Sequence, residues 1–198
     1  MRRIFRVGGL SLVLASLLIL GGCKLGDNNA QPSIPVSYVA LYNASPDAPA
    51  LDINVDNRQI NAQPFQYADY TGYLQFYTGK RHFIVTPAGA NNVAVDTTVT
   101  FVENKAYSVF LVDNYNRASL LVLGDSADAP ATGKAVVRLI NLSPDAGVVH
   151  LAEKGQSELG SGQAFRSASS YMTIDAGTKT FSITGNGVSL DVPSGTCR

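Results

Sequence analysis

The sequence predicts an all-β protein made of tandem immunoglobulin-like β-sandwich repeats, the second of them incomplete. Three observations carry this reading. Apolar and polar residues alternate with period two through most of the chain after residue 35, turn-forming clusters interrupt the alternation at short intervals, and one stretch recurs at a constant offset. No segment after residue 35 sustains a 3.6-residue apolar period.

The N-terminus is of a different kind. Arg2, Arg3 and Arg6 form a basic start, and Leu10 to Leu20 is an apolar run of eleven residues. A bilayer-spanning helix needs roughly 20. A short apolar run behind a basic start is the pattern of a secretory signal peptide, here residues 1–22. The run closes on Leu20-Gly21-Gly22-Cys23, which resembles the lipobox of bacterial lipoproteins. The resemblance implies that Cys23 is lipidated and becomes the mature N-terminus, anchoring the chain to a membrane. The competing reading is an ordinary signal peptide with Cys23 incidental. Lys24 follows the cysteine where an aspartate would resemble an inner-membrane retention signal, which leans toward the outer membrane. Residues 23–35 are polar with two prolines and read as a tether, whose last twelve residues reach at most about 40 Å when extended.

Cleavage after Gly22 leaves 176 residues, enough for one large domain or two small ones. All fifteen acidic residues but only twelve basic ones lie in that part, a net charge of −3 with no basic patch, so nucleic acid is not an expected partner. No Cys/His spacing resembles a zinc site, and neither a metal nor a cofactor is expected. With Cys23 lipidated, Cys197 has no partner in the chain. It is a free thiol, half of an intermolecular disulfide, or an accident of a ragged C-terminus, the last being favoured.

Residues 36–123 read as the first sandwich repeat, with strands near 37–43, 51–56, 71–77, 81–86, 93–102, 106–112 and 118–123. Leu51, Ile53 and Val55 alternate with Asp52, Asn54 and Asp56, and Val93, Val95, Thr97, Val99 and Phe101 form another alternating face. Asp113 to Arg117 reads as a hairpin loop between two apolar runs, and 87–92 and 103–105 as further turns. Residues 124–134 read as a linker, after which the pattern restarts in a shorter second repeat, 135–198. Asn43-Ala44-Ser45-Pro46-Asp47-Ala48 returns as Asn141-Leu142-Ser143-Pro144-Asp145-Ala146. At the same offset Val39 matches Val137, Tyr73 matches Tyr171, Gly79 matches Gly177 and Phe83 matches Phe181. Nothing in the second copy matches the strand pair 106–123. It therefore packs on the first copy, is completed by a partner strand, or is truncated; packing is the favoured expectation.

The stretch from Tyr42 to Asp56, with Phe65, Ala68 and Tyr73 beyond it, resembles the domain-of-unknown-function family numbered 4397. Its second copy, Leu142 to Ala146 followed by Phe165, Ala168 and Tyr171, is similar, with Gly147 and His150 departing from the pattern. The resemblance implies a secreted or lipid-anchored envelope protein with tandem copies, and it implies no catalytic residues.

Each candidate site has a plainer alternative. Ser-Pro-Asp-Ala is first a β-turn, with proline setting φ and the aspartate bonding nearby backbone N–H groups, and second a ligand loop. Asp47, Asp52, Asn54 and Asp56 offer hard oxygens, but strand spacing of about 6.5 Å between alternate side chains is too wide to clasp one Ca²⁺. The segment 65–77 holds Phe65, Tyr67, Tyr70, Tyr73, Phe76 and Tyr77. The plain reading puts Phe65, Tyr73 and Phe76 in the core. The functional one makes Tyr67, Tyr70 and Tyr77 a shared exposed face that stacks on sugar rings or meets a protein. His82 and His150 sit in different copies with no nucleophile motif beside them, and Gly185-Asn186-Gly187 is a turn. The leading functional expectation is a non-enzymatic, lipid-anchored envelope module that binds a glycan or a surface protein. An assembly component completed by a partner strand and a hydrolase with an unrecognised site are the alternatives.

Overall fold

Alternation builds the first strands as expected. β1 (Val36–Asn43) and β2 (Leu51–Val55) each put alternate residues inward, so Leu51, Ile53 and Val55 are buried while Asp52 and Asn54 stay half-buried. These strands belong to a computed structural model that describes residues 34–197, with side chains through residue 193. The basic start, the apolar run, Cys23 and most of the 23–35 tether lie outside the described residues. Among those described, no helix is long and apolar enough to cross a membrane.

The first half is a sandwich of two four-stranded sheets. One runs β4-β1-β7-β8, with β4 at Leu74–Tyr77, β7 at Ala106–Val112 and β8 at Ser119–Gly124. The other runs β3-β2-β5-β6, with β3 at Arg58–Gln59, β5 at Gly79–Pro87 and β6 at Val95–Phe101. Val39, Leu41, Phe76, Val109 and Leu111 from the first sheet meet Leu51, Ile53, Phe83, Val85 and Phe101 from the second in one core. Phe76, Phe83 and Phe101 form its aromatic centre, with ring centroids 5.8–6.2 Å apart. All pairings are antiparallel except β1 with β7, which run parallel from Tyr38 opposite Ala106 to Asn43 opposite Leu111.

The second half repeats part of this plan. It consists of β9 (Lys134–Val137), β10 (His150–Glu153), β11 (Met172–Asp175), β12 (Gly177–Gly185) and β13 (Val188–Cys197). β9 pairs with β11, and β10, β12 and β13 form a three-stranded sheet. Registers agree with the first half at the offset that carries Asn43 onto Asn141. Val39 faces Leu74 as Val137 faces Met172, and Ile53 faces Val85 as Leu151 faces Ile183. Ala68 and Arg166, also related by that offset, both take positive φ, +68° and +65°. Among the described residues no strand corresponds to β7 or β8, so one edge of β9 is unpaired and the second core shrinks to Leu139, Val149 and Leu151 with partly buried neighbours. On β13, Val188 and Leu190 are 67% and 60% exposed, whereas Val95, which holds Leu190's place opposite Val85, is buried. Among the described residues this half therefore leaves apolar surface uncovered.

Several expectations need correction. β3 was absent from the sequence reading; it follows a two-residue turn at Asp56-Asn57, both with positive φ (49° and 64°), the geometry of a type I′ hairpin. β4 starts at Leu74, not 71, because the Thr71 N–H and hydroxyl are engaged across the gap with the Leu41 backbone. Val93 precedes β6 and is exposed. β13 extends to Cys197, whose backbone pairs with Gly177. Gly147, which departs from the proline of the first copy, has φ +67°, which proline cannot adopt, and a Cβ there would meet Asn186 Oδ1 at 2.5 Å.

Candidate functional site

A buried asparagine builds each Ser-Pro-Asp turn. Asn43 is 2% exposed; its Oδ1 accepts from the Ser45 N–H and its Nδ2 donates to the Phe65 carbonyl. Asn141 does the same with Ser143 and Gln163, and adds a bond to the Gly147 carbonyl. The side chain imitates a backbone turn and ties it to a second loop, which is what Asx geometry does best. Proline then presets the bend, and the Ala48 N–H closes it on the Ser45 carbonyl.

Both halves belong to one compact unit, and within it the two turns line one cleft. Ala44 and Pro46 come from the first turn, and Leu142, Ser143, Pro144 and Asp145 from the second. Tyr67 and the β7–β8 loop residues Asn114 and Arg117 complete the lining of a cavity of about 510 Å³. That volume is in the range of small-ligand sites. Tyr67 is 56% exposed, and the Arg117 side chain is still more open although it touches Asp113 at 3.1 Å.

The two turn aspartates behave differently. Asp47 does not bond its own turn as the sequence implied; its Oδ1 accepts from the Tyr115 N–H, locking the β7–β8 loop in place. Among the described residues no such loop bonds the Asp145 carboxylate, which accepts from the Ser143 hydroxyl within the cleft wall. The cleft thus combines an aromatic face, a guanidinium, a carboxylate, an amide and a hydroxyl. This set can stack on an apolar ring face and exchange paired hydrogen bonds with neighbouring hydroxyls.

The tyrosines proposed from sequence separate. Tyr67 lines the cleft. Tyr70 is bridged to Tyr42 and stacks on it at 5.9 Å, with Tyr42 stacked in turn on Phe110. Tyr77 lines a different cavity with Asp56, Arg58 and Arg81. Phe65 and Phe76 are core residues as expected, but Tyr73 is not, being 55% exposed with its hydroxyl donating to Asp125. Asp52 and Asp56 are engaged by protein donors, Asp52 by Gln59 and the Gly89 N–H and Asp56 by Arg81 and the His82 N–H. His82 pairs with Asp96 and His150 with Glu158, each at 2.6 Å; among the described residues neither imidazole bonds a serine or cysteine.

One important residue escaped sequence reasoning. Asp125, placed in the linker, has a side chain only 9% exposed and joins the halves. It accepts from the Tyr73 hydroxyl, the Ser108 hydroxyl and Arg138 Nη2, while Arg138 also donates to the Gly124 carbonyl and lies 4.8 Å over the Tyr171 ring. Tyr73 and Tyr171, equivalent in the repeat, meet the same ion pair from the two sides. Burial first, and the Asp125 carboxylate second, push the Tyr73 phenol up to about 12.

Residues 37–152 match the family described as Domain of unknown function (DUF4397), a match that runs from β1 to β10. A search of curated proteins gave no match. Among solved structures, one likeness is to the crystal structure of CBMbc (family CBM26) from Eubacterium rectale Amy13K in complex with maltoheptaose. Identity is 13%, 81% of this chain and 88% of that chain are covered, and the TM-score is 0.31, too low to carry an argument.

Proposed function

This chain belongs to the DUF4397 family, and we propose that it is a lipid-anchored envelope module, carrying tandem copies of one unit, that binds a saccharide without chemically altering it. The cleft between the two Ser-Pro-Asp turns carries the proposal. It sets the exposed Tyr67 ring beside Arg117, Asn114, Ser143 and Asp145. Sugar rings present an apolar face and a rim of hydroxyls, and an aromatic plate edged by planar hydrogen-bonding groups complements both. The test is a glycan array followed by titration of the hits. Tyr67→Ala and Arg117→Ala should each weaken binding by about tenfold or more, close to 1.4 kcal/mol. Unchanged affinity in both variants would remove the cleft from consideration. The anchor has its own test: a fatty-acid probe should label the wild type and not Cys23→Ala.

A second reading rests on the unpaired edge of β9 and the exposed Val188 and Leu190. In it, a partner supplies strands where the first half has β7 and β8. Light scattering on the purified protein distinguishes the two, because a stable monomer with no cross-linked partner leaves no room for strand donation.

A further inference from the structure

A second cavity, of about 430 Å³, shares no residue with the cleft between the turns. Its lining includes Asp56, Arg58, Gln75, Tyr77 and Arg81. Two guanidinium groups stand there against one carboxylate. Asp56 is already matched to Arg81, whose Nη1 lies 2.8 Å from its Oδ2, and Arg81 Nη2 donates to the Thr78 carbonyl at 3.2 Å. Arg58, exposed on β3, has no carboxylate partner among the described residues. Arg81 Nε is buried with no acceptor. A buried N–H donor is normally paired, so one left open beside a cavity marks a place where an acceptor is missing. Tyr77 adds a ring that is 57% exposed on the same wall, while its neighbour Phe76 turns into the core.

The fold does not require this arrangement. At the equivalent positions of the second half stand Lys154, Gln156, Asp175 and Lys179, in place of Asp56, Arg58, Tyr77 and Arg81. There the cations are matched, Lys154 to Asp191 and Lys179 to Glu153. The same strand registers are therefore built without two arginines and a tyrosine on one wall. We propose that this cavity binds the carboxylate of an acidic saccharide, a uronate, with the planar guanidinium groups of Arg58 and Arg81 on the carboxylate and the Tyr77 ring against the sugar face. Guanidinium matches carboxylate in shape and in two-point hydrogen bonding, which a neutral hydroxyl does not reproduce.

The test uses the full chain, titrated with a galacturonate oligomer, an uncharged galactose oligomer of equal length, and inorganic phosphate. The protein contains nine tyrosines and no tryptophan, so intrinsic tyrosine fluorescence reads the site beside calorimetry. The uronate oligomer should bind about tenfold tighter than the neutral one, a preference that salt weakens. Arg58→Gln, at an exposed position, and Tyr77→Ala should each abolish the preference with circular dichroism unchanged, whereas Tyr67→Ala should leave it intact. That last variant separates this cavity from the saccharide cleft. Equal affinity for both oligomers, or a uronate preference that survives Arg58→Gln, overturns the proposal. Competition by phosphate at the concentration at which the uronate binds overturns it too, by showing a general oxyanion site.

Discussion

Replacing Asp125 by alanine should cost about 4 kcal/mol and split the unfolding transition. The carboxylate is 9% exposed and Arg138, its partner at 2.5 Å, is 13% exposed. Removing one member of a buried ion pair typically costs about 3–5 kcal/mol, because the other charge is left uncompensated. Arg138 keeps the Gly124 carbonyl and the Tyr171 ring, so the lower end, about 3 kcal/mol, applies. Ser108 is 6% exposed and loses its acceptor, adding about 1 kcal/mol. Tyr73 is half-exposed and turns to water at little cost. The loss falls on the contact between halves, and among the described residues the second half has a small apolar core, with Leu139, Val149 and Leu151 clustered and Ala135 and Ile174 also buried. Urea unfolding followed by circular dichroism and tyrosine fluorescence should therefore show the second half melting first. Asp125→Asn, which retains an acceptor oxygen, should lose about half as much. A single cooperative transition within about 1 kcal/mol of wild type would refute the reasoning.

Tyr73, held near 12, should be among the last tyrosines to ionise in an alkaline absorbance titration, and Tyr73→Phe should delete that late step. Because its folded pKa is raised, its contribution is complete below about pH 10 and is lost as pH climbs toward 12, so wild type should lose more stability over that window than Tyr73→Phe. Asn43→Ala should cost about 1–2 kcal/mol in denaturant melts, since it leaves the buried Ser45 N–H without an acceptor and the Phe65 carbonyl with the Leu51 N–H alone. Gly147→Ala should cost about 1–2 kcal/mol by the same measurement, from its φ of +67° and the contact with Asn186. Asp47→Ala should loosen the β7–β8 loop by about 1 kcal/mol, read as faster amide exchange at Tyr115, whereas Asp145→Ala should leave exchange unchanged and weaken saccharide binding.

The strands that alternate cleanly were legible before any coordinates. Leu51-Ile53-Val55 and Val95-Thr97-Val99-Phe101 declare their inner faces because period two fixes which side a residue takes. Periodicity does not say which strand lies beside which. The parallel pairing of β1 with β7 joins segments that are far apart in sequence and leaves no mark in either. The aromatic segment failed for a related reason. From Gln66 to Tyr73 the chain is loop rather than strand, so alternation does not govern it, and Tyr67, Tyr70 and Tyr73 leave in three directions. Asp125 was invisible because a carboxylate among Gly, Ser, Ala and Pro looks like linker; only the arrival of Arg138 and Tyr73 from elsewhere makes it a joint. The two matching Asn-x-Ser-Pro-Asp stretches predicted two similar turns, but that both turns line one cleft depends on how the chain packs and was not legible in either stretch.

Among the described residues the second half has no counterpart of β7 and β8, and the two turns differ accordingly. In the first half β7 and β8 cover the core with Val109 and Leu111, and their loop captures Asp47 through the Tyr115 N–H. In the second half, among the described residues, no such loop reaches the Asp145 carboxylate, which accepts from the Ser143 hydroxyl and lines the space between the halves, while the Asp145 carbonyl accepts from Asn186 on the β12–β13 turn. The same β7–β8 loop of the first half reaches over that space and places Asn114 and Arg117 in its lining. One hairpin therefore acts twice, closing the first sandwich and forming part of the wall that faces the second turn. A second half completed by its own equivalent hairpin would engage Asp145 as Asp47 is engaged, and the cleft would lose the one carboxylate its lining now contains.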